Sequence, residues 1–400
     1  MKAGIFSLAV LLMGSCAAAA QSLPLGKAGP DENVQACVMM GVGFWALPGT
    51  DTCLKVSGEV RADYVLQHQP TRNDDATDFF TRAQIGFDAR TNTDYGLLRS
   101  YFLLDAYVGP GQTTSFVVDK AYLQIGGLTA GYAHSFFGIY DLDYANDLLQ
   151  PYFGYAATTN LLAYTLEFGN GLSATLSIED ARGTHSSLFD TPSPFQTKVV
   201  SSGGSVVPDI VGNLRYDADW GEASVFGAAH QIRYPAPSKP LGGSDYGYAF
   251  GGALGLNIPV LAGGHIVAEG TYANGASSYL GWQQLDAAFD LTNERTDLGN
   301  GWTATGEFGL NLTPALTVNL LGSYLDYSAA SADTRIFVPQ APDIQGWVAG
   351  GNAVYTVTRG LSFGAEAYYS SYRGKGGQGF FAFEDEQKGW TGVLRVRRTF

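Results

Sequence analysis

Long apolar runs are missing from this chain beyond its first residues. Nothing after residue 20 approaches the ~18 consecutive apolar residues of a membrane helix, which argues against a helical membrane protein. Basic side chains are also short: 23 Lys and Arg stand against 37 Asp and Glu, a net charge of −14. That balance argues against nucleic acid, whose phosphates need a basic face. The five histidines, His68, His134, His185, His230 and His265, show no metal-ligand spacing, and there is neither a Gly-rich phosphate loop nor a cysteine cluster. His134 and Ser135 are an adjacent His–Ser pair, but strand neighbours face apart, so a hydrolase site is not expected. No cofactor is expected. Methionine (4) and proline (16) are few, whereas glycine (52) and tyrosine and phenylalanine (23 each) are plentiful, which suits β-structure with many turns.

Residues 1–20 read as a signal peptide: Lys2 gives the positive start, Ile5 to Met13 the apolar core, and Ala18, Ala19 and Ala20 the cleavage site. The rival is lipidation at Cys16, for which Met13 is a poor fit. If Cys16 leaves with the signal, Cys37 and Cys53 remain. An even pair in an exported chain suggests a disulfide, worth ~3 kcal/mol in the chain-entropy model, and the alternative is two free thiols. Residues 21–54 then form a periplasmic N-terminal segment, and 55–400 the main domain.

That domain alternates with a period of two. In the last segment Trp390, Gly392, Leu394, Val396 and the terminal Phe400 share one face, and Thr391, Val393, Arg395, Arg397 and Thr399 the other. Val56, Gly58, Val60, Ala62 and Tyr64 likewise alternate with Lys55, Ser57, Glu59, Arg61 and Asp63. Lipid is the natural cover for so many apolar faces, because no second layer is left to bury them. Tight-turn signals at 93–96, 126–128, 169–171, 219–221, 259–264, 313–315 and 358–360 separate strand pairs, with long polar connections between the pairs. Seven turns join about fourteen strands, and an opening and a closing strand make about sixteen. The expectation is an all-β transmembrane antiparallel barrel with both termini on the short-turn, periplasmic side. Sixteen strands leave room for a water channel.

Several segments resemble the general-diffusion porins of alphaproteobacterial outer membranes. They are VQACVMMGVGFWALPGTDTCLKVSGEVRADY (Val34 to Tyr64), RTNTDYGLLRSYFLLDAY (Arg90 to Tyr107), AYLQIGGLTAGYAHSFF (Ala121 to Phe137), TNLLAYTLEFGNGLSATLSIED (Thr159 to Asp180) and the C-terminal strand ending in Phe400. The likeness thins to periodicity between 183 and 300, and Pro24 to Glu32 is poorer in acidic residues and proline than the family pattern. The resemblance implies a homotrimer, passive passage of small hydrophilic solutes, a Cys37–Cys53 disulfide and a third long loop folded into the lumen. On that loop Asp141, Asp143 and Asp147 are the candidate acidic side of a constriction. Arg61, Arg82, Arg99 and Arg395 are the candidate basic side, read as one contiguous wall because closure sets the last strand beside the first. Arg90 and Arg397 face inward too, nearer the periplasmic end. Glu59, Asp63, Asp88 and Asp105 share that face and compete for these cations as ion-pair partners. Phe400 is the candidate insertion signal. The expected partners are outer-membrane lipid, lipopolysaccharide and the barrel-assembly machinery. The main alternative is a channel selective for one sugar or anion.

Overall fold

The computed structural model describes residues 36–69, 71–109, 115–139, 148–155, 157–183, 204–233, 244–282, 286–290, 295–330, 343–375 and 386–400. Sixteen long strands form one antiparallel sheet that closes on itself. They are β1 (Cys53–Gln67), β2 (Thr77–Thr93), β3 (Gly96–Val108), β4 (Ser115–Ile125), β5 (Leu128–His134), β6 (Thr158–Gly169), β7 (Leu172–Glu179) and β8 (Asp209–Ala218). The second half follows as β9 (Gly221–Arg233), β10 (Ser244–Ile258), β11 (Gly264–Asn274), β12 (Asn300–Thr313), β13 (Leu316–Ser328), β14 (Asp343–Thr358), β15 (Leu361–Lys375) and β16 (Gln387–Thr399). Every strand pairs with its sequence neighbours, and β16 returns to pair with β1 from Thr391–Gln67 to Thr399–Glu59. Closure of this kind removes the exposed edges on which open sheets aggregate.

The seven predicted tight turns all join strands at one end of the barrel. At the β6–β7 turn, Asn170 (φ 55°) and Gly171 (φ 84°) are both left-handed, the geometry that a two-residue hairpin demands. Phe400 extends the closing seam. Its N–H and C=O exchange hydrogen bonds of 3.0 and 3.1 Å with Gly58. Its ring lies over that glycine, where a Cβ would come within 2.5 Å of the ring.

The period of two separates the faces as the sequence indicates. Outward Leu162, Leu166, Leu176, Val225 and Leu320 are exposed, as a lipid-facing band requires. On the long-loop side of that band outward rings pair across strands: Phe250 with Tyr272 (5.4 Å), Trp302 with Tyr324 (5.1 Å) and Trp347 with Tyr369 (5.6 Å). Such amphipathic rings suit the level of the lipid headgroups. Tyr368 and Tyr369 point to opposite faces, so this pair makes no stacking track.

Among the described residues, two connections turn inward. Residues 135–139 and 148–155 of the β5–β6 connection lie in the lumen, as the resemblance implied. The β11–β12 connection (275–299) carries a short 3-10 turn, Ser277–Leu280, and a small hairpin of Ala287–Asp290 with Arg295–Leu298. Neither feature was legible in its polar sequence. Together the connections bury an apolar cluster against the inner wall, with Phe137, Ile139, Phe153, Tyr279 and Leu280 packed on Val211, Phe226, Ala253, Leu325 and Val348.

The N-terminal segment is tied to the barrel by the Cys37–Cys53 disulfide. Trp45–Ala46 pairs with Leu54 and Cys53, the first residues of β1. The barrel therefore begins at Cys53 itself, just ahead of the expected boundary. Residues 1–35, with the expected signal peptide, lie outside the described residues.

Candidate functional site

Directly opposed residues of an antiparallel pair share a face. The register therefore sets Arg397, Arg61, Arg82 and Tyr107 in one inward row across β16, β1, β2 and β3. The next row toward the tight turns holds Thr399, Glu59, Gln84 and Asp105, and the next toward the long loops holds Arg395, Asp63 and Phe80. Carboxylates thus interleave with the arginines. Arg82 meets Asp105 at 2.8 Å and Glu59 at 3.8 Å. Arg61 meets Asp63 at 3.3 Å and Glu59 at 3.8 Å, and Arg397 lies 4.0 Å from Glu59. The row's three arginines thus meet three carboxylates, Glu59, Asp63 and Asp105.

Arg99 sits elsewhere. It and Arg90 each chelate Asp88 with two nitrogens, at 2.8–3.2 Å. Arg99 also donates to Gln124 (3.2 Å) and lies over the Tyr101 and Tyr122 rings. Arg90 reaches the N-terminal segment, donating to the Met40 carbonyl (3.0 Å) and covering Phe44. The expected contiguous wall is therefore two clusters. The reason is distance along one strand: Arg82 and Arg90 are eight residues apart on β2, about 26 Å at ~3.3 Å per residue. The adjacent ion pairs weighed as competitors are formed in both clusters.

Arg395 is buried and turned toward the inner connection. It binds Asp63 through two nitrogens (2.6 and 2.9 Å) and donates to the Leu148 carbonyl (2.8 Å). Asp141, Asp143 and Asp147 lie outside the described residues. On both sides of them the connection is fastened to the barrel wall by carboxylates that pattern reasoning did not single out. Phe136 N–H donates to Glu179 (3.2 Å) and Ile139 N–H to Glu269 (3.1 Å). Leu148 and Leu149 N–H donate to Glu366 (2.7 and 3.0 Å). Phe153 N–H donates to Ser323 (2.8 Å), and its carbonyl accepts from Thr305 (2.5 Å). The only early signal was their inward parity on strands otherwise lined by small and apolar residues.

Aromatic packing completes the attachment. Phe137 contacts Phe226 (4.7 Å) and Tyr279 (4.6 Å), and Tyr155 also contacts Tyr279 (4.6 Å). Tyr279 donates to Asp209 (2.8 Å), whose other oxygen meets His230 Nδ1 (2.8 Å). Burial pushes the hydroxyls of Tyr155 and Tyr279 up, with Asp209 adding to the effect on both, so both stay neutral at physiological pH.

A closed sixteen-strand barrel with a charged inner arc and an inward connection is the architecture of a pore. The family model described as "Porin subfamily" matches residues 25–392. The chain belongs to that family. This porin is an outer-membrane β-barrel that forms a channel for passive diffusion, a channel rather than an enzyme. It is 23% identical to Porin Omp2b of Brucella neotomae over 409 aligned residues, covering 98% of each chain. The outer membrane channel DcaP of Acinetobacter baumannii shares the fold with a TM-score of 0.67 at 14% identity, over 87% of this chain and 97% of that one. The anion-selective porin from Comamonas acidovorans does so with a TM-score of 0.55 at 12% identity, over 87% and 100%.

Proposed function

We propose that solutes cross this porin between the Arg397–Arg61–Arg82 row and the inward connection, by general diffusion. The observation that carries this is the single register row of three arginines on the inner face, whose guanidinium groups set the charge that a solute meets there. Aligned cations facing a narrow lumen act at low effective dielectric, where they count for more than the distant loop charges behind the overall −14. Asp141, Asp143 and Asp147 supply the facing negative charge in this scheme, and Arg99 acts outside it, in the vestibule nearer the tight turns.

The wider setting is part of the same proposal. Residues 1–20 direct export, residues 21–54 face the periplasm with both termini, and three copies associate within lipid and lipopolysaccharide after the assembly machinery has read Phe400. The trimer form described for a Vibrio cholerae outer-membrane protein of similar fold agrees with this stoichiometry. Planar-bilayer recording in a salt gradient tests the pore. Arg82→Glu should move the reversal potential toward cation selectivity, and an unchanged potential would remove Arg82 from the lining. Liposome swelling should fall smoothly with solute size; saturation by one sugar or anion would favour a selective channel instead.

A further inference from the structure

We infer that Glu366, working with Arg395, is the positioning residue that latches the inward connection to the closing seam and thereby sets the width of the pore. This rests on the pore lying beside that connection. The connection meets a wall carboxylate on β7, on β11 and on β15, at every fourth strand, but the attachments differ in kind. Near Glu179 and Glu269 the chain is also held by buried rings, Phe137 above all. Leu148 and Leu149 are only partly buried and, among the described residues, join no aromatic cluster.

What holds them is charge. Glu366, 6% exposed, takes one N–H on each oxygen. Asn352 donates to the same carboxylate (3.2 Å) and is itself bound by Asn319 (2.8 Å), which fixes the acceptor in place. The Leu148 carbonyl faces the other way and accepts from Arg395, which Asp63 holds. An anion thus grips the N–H side of this peptide and a cation its C=O side, so both charges meet backbone dipoles of the matching sign. The Leu148 side chain lies on Gly364, where a Cβ would come within 2.9 Å of it. The latch spans β15, β16 and β1, the strands at the closing seam. Arg395 accordingly acts on solute through the connection, as a positioning residue, and not as a lining charge.

The test is single-channel recording of Glu366→Ala and Glu366→Gln, with folding checked by the circular dichroism of the barrel. Two charge-assisted hydrogen bonds lost together shift the ratio of held to released connection by about a hundredfold or more. Glu366→Ala should therefore lose the steady conductance level and show a larger, noisier current. Glu366→Gln, which keeps a carbonyl acceptor, should fall between. A disulfide between Leu148→Cys and Gly364→Cys in the Glu366→Ala background should restore the steady level, and reductant should abolish it only when both cysteines are present. Wild-type conductance and noise in Glu366→Ala, or no rescue by the cross-link, would overturn the latch. Those outcomes are separable from the pore itself, which fails instead if Arg82→Glu leaves the reversal potential unmoved.

Discussion

The inner wall of this barrel has two arcs that differ in how much apolar surface stands among their charges. From β16 through β3 the inward positions carry Arg397, Arg395, Arg61, Arg82, Glu59, Asp63 and Asp105 in interlocking ion pairs. From β8 through β14 the pairs Arg215–Glu222, Asp209–His230 and His265–Glu307 also face inward, but Val211, Ala228, Ala249, Ala253, Ala273, Leu325 and Val348 lie among them, buried under the inward connections. Both arcs have the same strand period and the same lipid on their outer side. The difference places the connections off-centre: apolar area draws them onto the far arc at ~25 cal/mol per Å². Ion pairs keep water on the near arc, because stripping it from paired charges costs several kcal/mol per ion. The lumen is thus filled from one side and left wet on the other.

The comparison breaks most severely if a charge is put on the apolar arc. Ala249→Arg, opposite Ala228 and Ala273 in the register, should bury an unpaired guanidinium beneath the inward connections and destabilise the barrel by about 5 kcal/mol or fail to assemble, read from urea unfolding in lipid vesicles. Phe137→Ala, which leaves the wall intact but removes the ring between Phe226 and Tyr279, should cost roughly 3–5 kcal/mol in the same assay and raise open-channel noise. Replacing Cys37 and Cys53 by serine acts on neither arc. It should lower stability by about 3 kcal/mol on the chain-entropy model while leaving the reversal potential unchanged. The smallest effect sharpens the contrast: Asp105→Asn, costing roughly 1 kcal/mol, removes one countercharge from Arg82 and should move the reversal potential toward anions.

How much of this was legible in the sequence follows from range. The turns were readable because Asn170, Gly171 and the other turn residues act locally. The inward parity of Arg61, Arg82 and Arg395 was readable because a strand repeats every two residues. The Arg99 cluster was misplaced because parity gives the face but not the depth. The anchors were not readable at all. Ile139 and Glu269 are 130 residues apart, and Leu148 and Glu366 218 apart, joined by a segment with no period. Nothing local to Glu366 distinguishes an acceptor for a distant backbone from a lining carboxylate. The burial of Arg395 under Leu148 is the same case seen from the cation's side.

The most direct test of the two arcs is chemical access from the lumen. Arg82→Cys and Ala253→Cys, each in an open channel in a planar bilayer, would be exposed to a cationic, membrane-impermeant methanethiosulfonate. The expected result is a prompt change of current for the cysteine at 82 and none for the cysteine at 253. Equal modification at both positions would contradict a lumen that is wet on one side and packed on the other.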